Sequence, residues 1–163
     1  MLLKRKVVSV MKIALAADHV GFALKEKTRD YLEGKGLEVE DHGPSNAERV
    51  DYPDFAEKVA AQVAAKQADY GVLVCGTGIG MEIAANKVPG IRAAAANDTI
   101  SARMAREHNN ANILTLGGRM IDEAAMHRIV DTWLSTPFAG GRHARRVEKI
   151  AALEQRYHTE KTA

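Results

Sequence analysis

The chain reads as one α/β domain, a parallel sheet with helices on both faces, and three observations predict it. Short apolar runs alternate with helical patterns five times. The third run ends in CGTGIGM at 75–81, where three glycines at alternate positions open the next helix. With 163 residues, 46% hydrophobic and 27% charged, the chain suffices for one sizeable core and falls short of two.

The elements follow in order. MKIALAA (11–17) has the unbroken apolar character of a buried strand. In the helix after it, Phe22, Leu24, Thr28, Tyr31 and Leu32 share one side, and Gly34 and Gly36 supply the stop. LEVED (37–41) alternates like a half-buried strand. The polar loop HGPSNAERVDY leads to Pro53, suited to a first helical turn, and to a helix with Phe55, Val59 and Val63 on one face. Strand GVLVC (71–75) precedes a helix from about Ile79 and the turn NKVPG. Strand IRAAAA (91–96), helix TISARMAREH (99–108) and strand NILTLGG (112–118) come next. Asp122 is placed to cap EAAMHRIVDTWL, and a last helix runs from about Gly141 towards Tyr157, with Val147, Ile150, Ala151 and Glu154 marking its faces. Right-handed crossovers make this a doubly wound, Rossmann-like αβα sandwich with five parallel strands and a C-terminal helix.

Composition narrows the function classes. The 23 basic residues are matched by 21 acidic ones, so a net charge of +2 predicts no nucleic-acid partner. One cysteine excludes an internal disulfide and a cysteine-rich zinc site, and fits a cytoplasmic protein. The opening MLLKRKVVSV carries too short an apolar remnant for a signal segment, and no membrane association is expected. Residues 1–10 read as an extension before Met11, residues 11–158 as the domain and 159–163 as a tail.

In a doubly wound sheet, ligands bind beyond the carboxyl ends of the strands. That rule selects the loops Ala17–Gly21, His42–Tyr52, Cys75–Gly80 and Asn97–Thr99. CGTGIGM is no dinucleotide fingerprint: Met81 stands where G-x-G-x-x-G requires glycine, and the loop follows the third strand. The phosphate-loop spacing is absent too. Yet glycines let a loop turn its N–H groups inward at the start of a helix, which favours an oxyanion or phosphate. Cys75, at the strand end, reads either as a small buried apolar residue or as a base or nucleophile favoured by the helix start.

GGRHARRVEK places Arg142, Arg145 and Arg146 in the first turns of the last helix, where the dipole penalises cations by up to about 1 kcal/mol each. Arg142 and Arg146 lie four apart on one face and make an anion clamp, while Arg145 points to solvent. Asp18 and His19 occupy the first loop, and His108 and Asn109 lie at the end of a helix. His42, His127 and His158 read as surface residues, and no metal-ligand spacing exists.

The motifs ADHVGF, DYPDFA, CGTGIGMEIAANK, REHNNAN, GGR at 117–119 and GGRHARRVE together resemble the type B ribose-5-phosphate isomerases and their sugar-phosphate isomerase relatives, from Met11 to about Gln155. The resemblance implies an aldose–ketose isomerase acting through a cis-enediolate, with no metal, nucleotide or other cofactor. Matched by position, Cys75 is the base between C1 and C2, and His108 the acid that opens the furanose ring. Thr77 and the amides of Gly76, Gly78, Ile79 and Gly80 stabilise the enediolate oxygens. Asp18 and Tyr52 match sugar-hydroxyl contacts, His19, Arg119, Arg142 and Arg146 phosphate contacts, and Asn109 a further substrate contact. The resemblance also implies a homodimer or homotetramer whose sites are shared, the His108 region coming from the neighbour. A second branch of the family lacks the cysteine and uses glutamate at the position held here by Met81, so this chain matches the cysteine branch; Glu82 stands about 100° round the helix from it. Rival readings are an isomerase of allose 6-phosphate, a tetrose phosphate or galactose 6-phosphate, a non-catalytic sugar-phosphate sensor, and a dinucleotide-binding module.

Overall fold

Residues of the central strands point alternately into two cores, one on each face of a parallel sheet. The computed structural model describes residues 9–159; positions 1–8 of the expected extension and 160–163 of the expected tail lie outside them. The elements are β1 (Lys12–Ala17), α1 (Phe22–Gly34), β2 (Glu38–Asp41), α2 (Tyr52–Ala64), β3 (Tyr70–Cys75), α3 (Ile79–Ala85), β4 (Ala93–Ala95), α4 (Thr99–Asn109), β5 (Ile113–Gly117), α5 (Glu123–Ser135) and α6 (Arg142–Thr159). The strand order is β2-β1-β3-β5-β4, with every pairing parallel.

Ile13, Leu15, Val72, Val74, Leu114 and Leu116 face α1, α4 and α5, where they pack with Leu32, Ala102, Met126, Ile129 and the fully buried Trp133. Ala14, Ala16, Leu73, Cys75 and Ile113 face α2 and α3, against Ala56, Val59, Ala60 and Met81. This period-two division is what a sheet covered on both sides demands. The chain leaves β1 for β2 on one side and reaches β3 on the other, so the topological switch point lies between β1 and β3. Asp18 and Cys75 therefore flank the crevice.

Helix boundaries obey their caps. Asp122 Oδ1 accepts the Ala125 amide at 2.8 Å and Asp98 Oδ1 the Ser101 amide at 2.7 Å, so α5 and α4 each start on an aspartate. Pro53 falls in the first turn of α2. Gly21 allows the turn after β1, because a Cβ there would collide with the carbonyl oxygen of Val74.

Three expectations are corrected. The buried stripe of α1 includes Lys25, only 1% exposed, while Phe22 and Tyr31 are half-buried. Lys25 Nζ donates to both oxygens of Asp41, at 2.9 and 2.7 Å, and to the Pro44 carbonyl at 3.0 Å, with Glu26 at 2.9 Å, so its charge is fully compensated. β4 covers only three of the six residues expected of IRAAAA, and it is an edge strand. Its outward groups are met by side chains: Asn86 accepts from the Ala93 amide and donates to the Ala93 carbonyl, both at 2.9 Å, and Glu82 Oε1 accepts the Ala95 amide at 3.1 Å. Two histidines expected on the surface are half-buried instead. His42 lies 3.2 Å from Glu40, and His127 stacks on Tyr31 with ring centroids 3.8 Å apart.

Candidate active site

Cys75 ends β3 on the α2/α3 face, 5% exposed, and the loop after it is held by its carbonyl oxygens. The Cys75 carbonyl accepts the Gly118 amide at 2.7 Å, and the Gly76 carbonyl the Arg119 amide at 3.0 Å. The Thr77 carbonyl accepts Asn97 Nδ2 at 3.2 Å. The Gly78 carbonyl accepts the buried Thr115 hydroxyl at 2.9 Å and the Glu82 amide at 3.0 Å. Four consecutive carbonyls are thus occupied, mainly from β5 and the loop beyond β4. Since C=O and N–H point oppositely in a trans peptide, the N–H groups from Gly76 to Ile79 turn away from that side. One of them, that of Gly78, donates to Cys75 Sγ at 3.1 Å. Gly78 adopts φ +85°, which permits this reversal at little cost only for glycine. The Thr77 hydroxyl accepts the Ile79 amide at 3.3 Å and is exposed at the loop tip.

Other strand ends close round this loop. Asp18 is 7% exposed and its Oδ1 accepts the Gly21 amide at 2.8 Å. His19 Nδ1 accepts the Val50 amide at 3.4 Å, so in the neutral ring the proton sits on Nε2, a donor. The Tyr52 ring lies on Gly80, where a Cβ would stand 2.9 Å from its Cε2 and Cζ. The Arg119 side chain runs along Gly76, with Nη1 3.7 Å from the place of a Cβ. Asp18, His19, Tyr52, Cys75, Thr77, the loop from Gly76 to Gly80 and Arg119 therefore share the carboxyl edge of the sheet.

His108, Asn109, Arg142 and Arg146 lie elsewhere. α4 starts at the carboxyl edge behind Asp98 and runs back for 11 residues, about 16 Å, which carries its end to the amino edge. There Asn112 accepts the Arg92 amide at 2.8 Å, and its own carbonyl accepts the Gly71 amide at 3.0 Å, at the starts of β4 and β3. His108 stacks on His143 with centroids 4.4 Å apart and planes 7° from parallel, which brings the start of α6 and its arginines to the same edge. Desolvation, then His108 and the cations Arg142 and Arg146, push the His143 imidazole below its usual value. Within one chain Cys75 and His108 stand at opposite ends of the sheet.

Sequence reasoning missed Asn97. Its loop was selected, but an asparagine after an apolar run reads as turn chemistry; only the fold shows it touching both Gly117 and Thr77. A groove of about 1070 Å³ between α3, α4 and α6, lined by Arg92, Met104, Ile150, Leu153 and Tyr157, shares only Asn109 with the expected site residues. Among the described residues no group of three His, Cys, Asp or Glu side chains is arranged to hold a metal ion. None of their helices is long and apolar enough to cross a membrane.

Fold and site first define a class: an α/β enzyme with an amide-lined loop and a thiol at its switch point. The chain belongs, more narrowly, to the ribose/galactose isomerase family, whose model it matches over residues 13–150, and it is therefore an aldose–ketose isomerase. It is 48% identical to ribose-5-phosphate isomerase B of Escherichia coli over 145 residues, 89% of this chain and 97% of the relative. It is 44% identical to a D-erythrulose-4-phosphate isomerase of Pectobacterium atrosepticum, covering 93% of this chain and 99% of that one. The crystal structure of a ribose 5-phosphate isomerase from Thermotoga maritima superposes with a TM-score of 0.86 at 58% identity, over 87% of this chain and 98% of that one.

Proposed function

We propose that the protein interconverts ribose 5-phosphate and ribulose 5-phosphate, with Cys75 as the base. In the open-chain aldose the Cys75 thiolate takes the proton from C2, and the electron pair moves into a cis-enediolate. The Thr77 hydroxyl and the loop amides from Gly76 to Gly80 hold its oxygens while a proton passes from O2 to O1. The Cys75 thiol then returns its proton to C1, which gives the ketose. Asp18 and Tyr52 bind sugar hydroxyls, and His19 and Arg119 the phosphate. The observation that carries this reading is the placement of Cys75 Sγ, which accepts the Gly78 amide at 3.1 Å and so lies against the loop amides that would hold the enediolate oxygens.

Ring opening needs an acid near the same sugar, and His108 of the same chain is at the other end of the sheet. The reading therefore includes a second copy that presents its His108, Asn109, Arg142 and Arg146 to this Cys75. The exposed apolar side chains of Ile83, Ile100, Met104, Ile150 and Leu153, 42–61% accessible, supply a face such a copy would cover. The assembly is a homodimer or a pair of dimers.

One observation favours a second reading, a four-carbon substrate: the similarity to the Pectobacterium enzyme, named for D-erythrulose 4-phosphate. A turnover panel of four-, five- and six-carbon sugar phosphates decides. Highest kcat/KM on ribose 5-phosphate supports the proposal, and highest kcat/KM on a tetrose or hexose phosphate replaces it. Absence of turnover and of solvent deuterium incorporation from all of them leaves a binding protein.

A further inference from the structure

We propose that Asn97 is a positioning residue that sets the reactivity of Cys75 through a single peptide unit; the proposal rests on the reading of Cys75 as the base. Asn97 leaves the loop after β4 and reaches across to the end of β5. There its Oδ1 accepts the Gly117 amide at 2.8 Å and its Nδ2 donates to the Thr77 carbonyl at 3.2 Å. The two contacts fix the orientation of the amide, since a flip would set oxygen against oxygen and N–H against N–H.

The Thr77 carbonyl and the Gly78 amide belong to one rigid plane. With the carbonyl held by Asn97, the N–H at the other side of that plane is aimed at Cys75 Sγ, 3.1 Å away. A donor on the carbonyl also polarises the peptide and strengthens the bond its N–H donates. The relay runs from the Gly117 amide through the Asn97 side chain and the Thr77–Gly78 peptide to the sulfur. Asn97 touches neither the sulfur nor the enediolate oxygens in this scheme, so its effect passes through the Thr77–Gly78 peptide, and the state of the thiol is the readout that isolates the contact to Cys75.

The test reads the thiolate directly. The chain has one cysteine, so thiolate absorbance, with Cys75→Ala as the blank, reports Cys75 alone across a pH titration. In Asn97→Ala the thiolate fraction at neutral pH falls about 3- to 10-fold, the worth of one neutral hydrogen bond such as that of Asn97 to the Thr77 carbonyl. In Asn97→Asp the fall is larger, because a carboxylate oxygen faces the Thr77 carbonyl and adds negative charge near sulfur. Asn97→Asp keeps an acceptor for the Gly117 amide, so it tests the Thr77 contact even where Asn97→Ala does not fold. Titration curves that match the parent protein's in a folded Asn97 variant overturn the proposal, whatever happens to thermal stability or turnover. If the curves move but Cys75→Ala keeps full turnover, Asn97 still controls the thiol and the assignment of Cys75 as base is what fails.

Discussion

The carboxylate of Glu82 accepts the Ala95 amide at 3.1 Å, which commits it to the edge of the sheet, while its neighbour Met81 is fully buried among the residues that pack with Cys75. Of Cys75 and Glu82, only the thiol faces the loop amides. Cys75→Ala is expected to lower kcat for ribose 5-phosphate about 10²- to 10⁴-fold, the usual worth of a general base. Glu82→Gln, whose amide oxygen still accepts from Ala95, should keep kcat within about twofold. The opposite ranking in the ribose 5-phosphate assay would move the base to Glu82.

Separation of Cys75 and His108 to opposite ends of one sheet makes a mixing experiment decisive. Cys75→Ala and His108→Ala are each expected to be nearly inactive. Unfolded together and refolded in equal amounts, they should regain about a quarter of the parent activity, because half of randomly paired dimers are mixed and each holds one intact site. No recovery, with mixed dimers shown to form, would mean that each site is complete within one chain.

Gly78 holds a backbone conformation that costs other residues roughly 1–2 kcal/mol, and a Cβ there would also lie 3.2–3.3 Å from the backbone of Thr115 and Leu116. Gly78→Ala should therefore lower unfolding stability by about 1–2 kcal/mol. It should reduce kcat by more than tenfold as well, since the peptide that reaches sulfur is the one displaced. Urea melts and steady-state kinetics on the same preparation check both; an unchanged kcat in a destabilised variant would detach the loop from the chemistry.

Asp98 supplies an acid-sensitive element. The Ser101 amide on its carboxylate holds its pKa below the ordinary value of 3.8. A group depressed in the folded state contributes stability that is present above the unfolded value and is lost as pH falls through the folded one. Its share should therefore fade below about pH 4. Asp98→Asn, a neutral cap, is expected to match the parent within a few tenths of a kcal/mol near neutrality and to lose less stability on acidification. Urea midpoints compared near pH 7 and pH 3 measure the difference, and identical losses in the two proteins would exclude Asp98 as a contributor.

Much of this architecture is legible before any coordinates. Apolar runs such as GVLVC could only be buried strands, Asp122 announced its cap, and the three glycines after Cys75 marked the loop whose amides turn inward. The sharing of a site between two copies was only what the family resemblance implied. The distance of His108 from Cys75 within one chain follows from topology, because a helix that begins at a strand's carboxyl end finishes near its amino end. What was hidden depends on partners far along the chain. Lys25 sits in an apolar stripe only because Asp41 and Pro44 arrive from another element to meet its charge. Asn97 looks like any turn asparagine until β5 is inserted between β3 and β4 and brings Gly117 beside Thr77. IRAAAA has strand composition throughout, but a strand is as long as its neighbours allow, and β4 has a neighbour on one side only.

That single-sided strand limits what the sheet can pair with. Because Asn86 takes the outward amide and carbonyl of Ala93 and Glu82 the amide of Ala95, a further chain meets an edge already largely bonded and pairs poorly as a sixth ribbon. Growth of the sheet from molecule to molecule, the first step of fibre formation, is hindered at this boundary by two side chains. Any companion approaching from this side must grip through helix surfaces. Association there is then a matter of how well helix surfaces match in shape, with no backbone pairing to extend it.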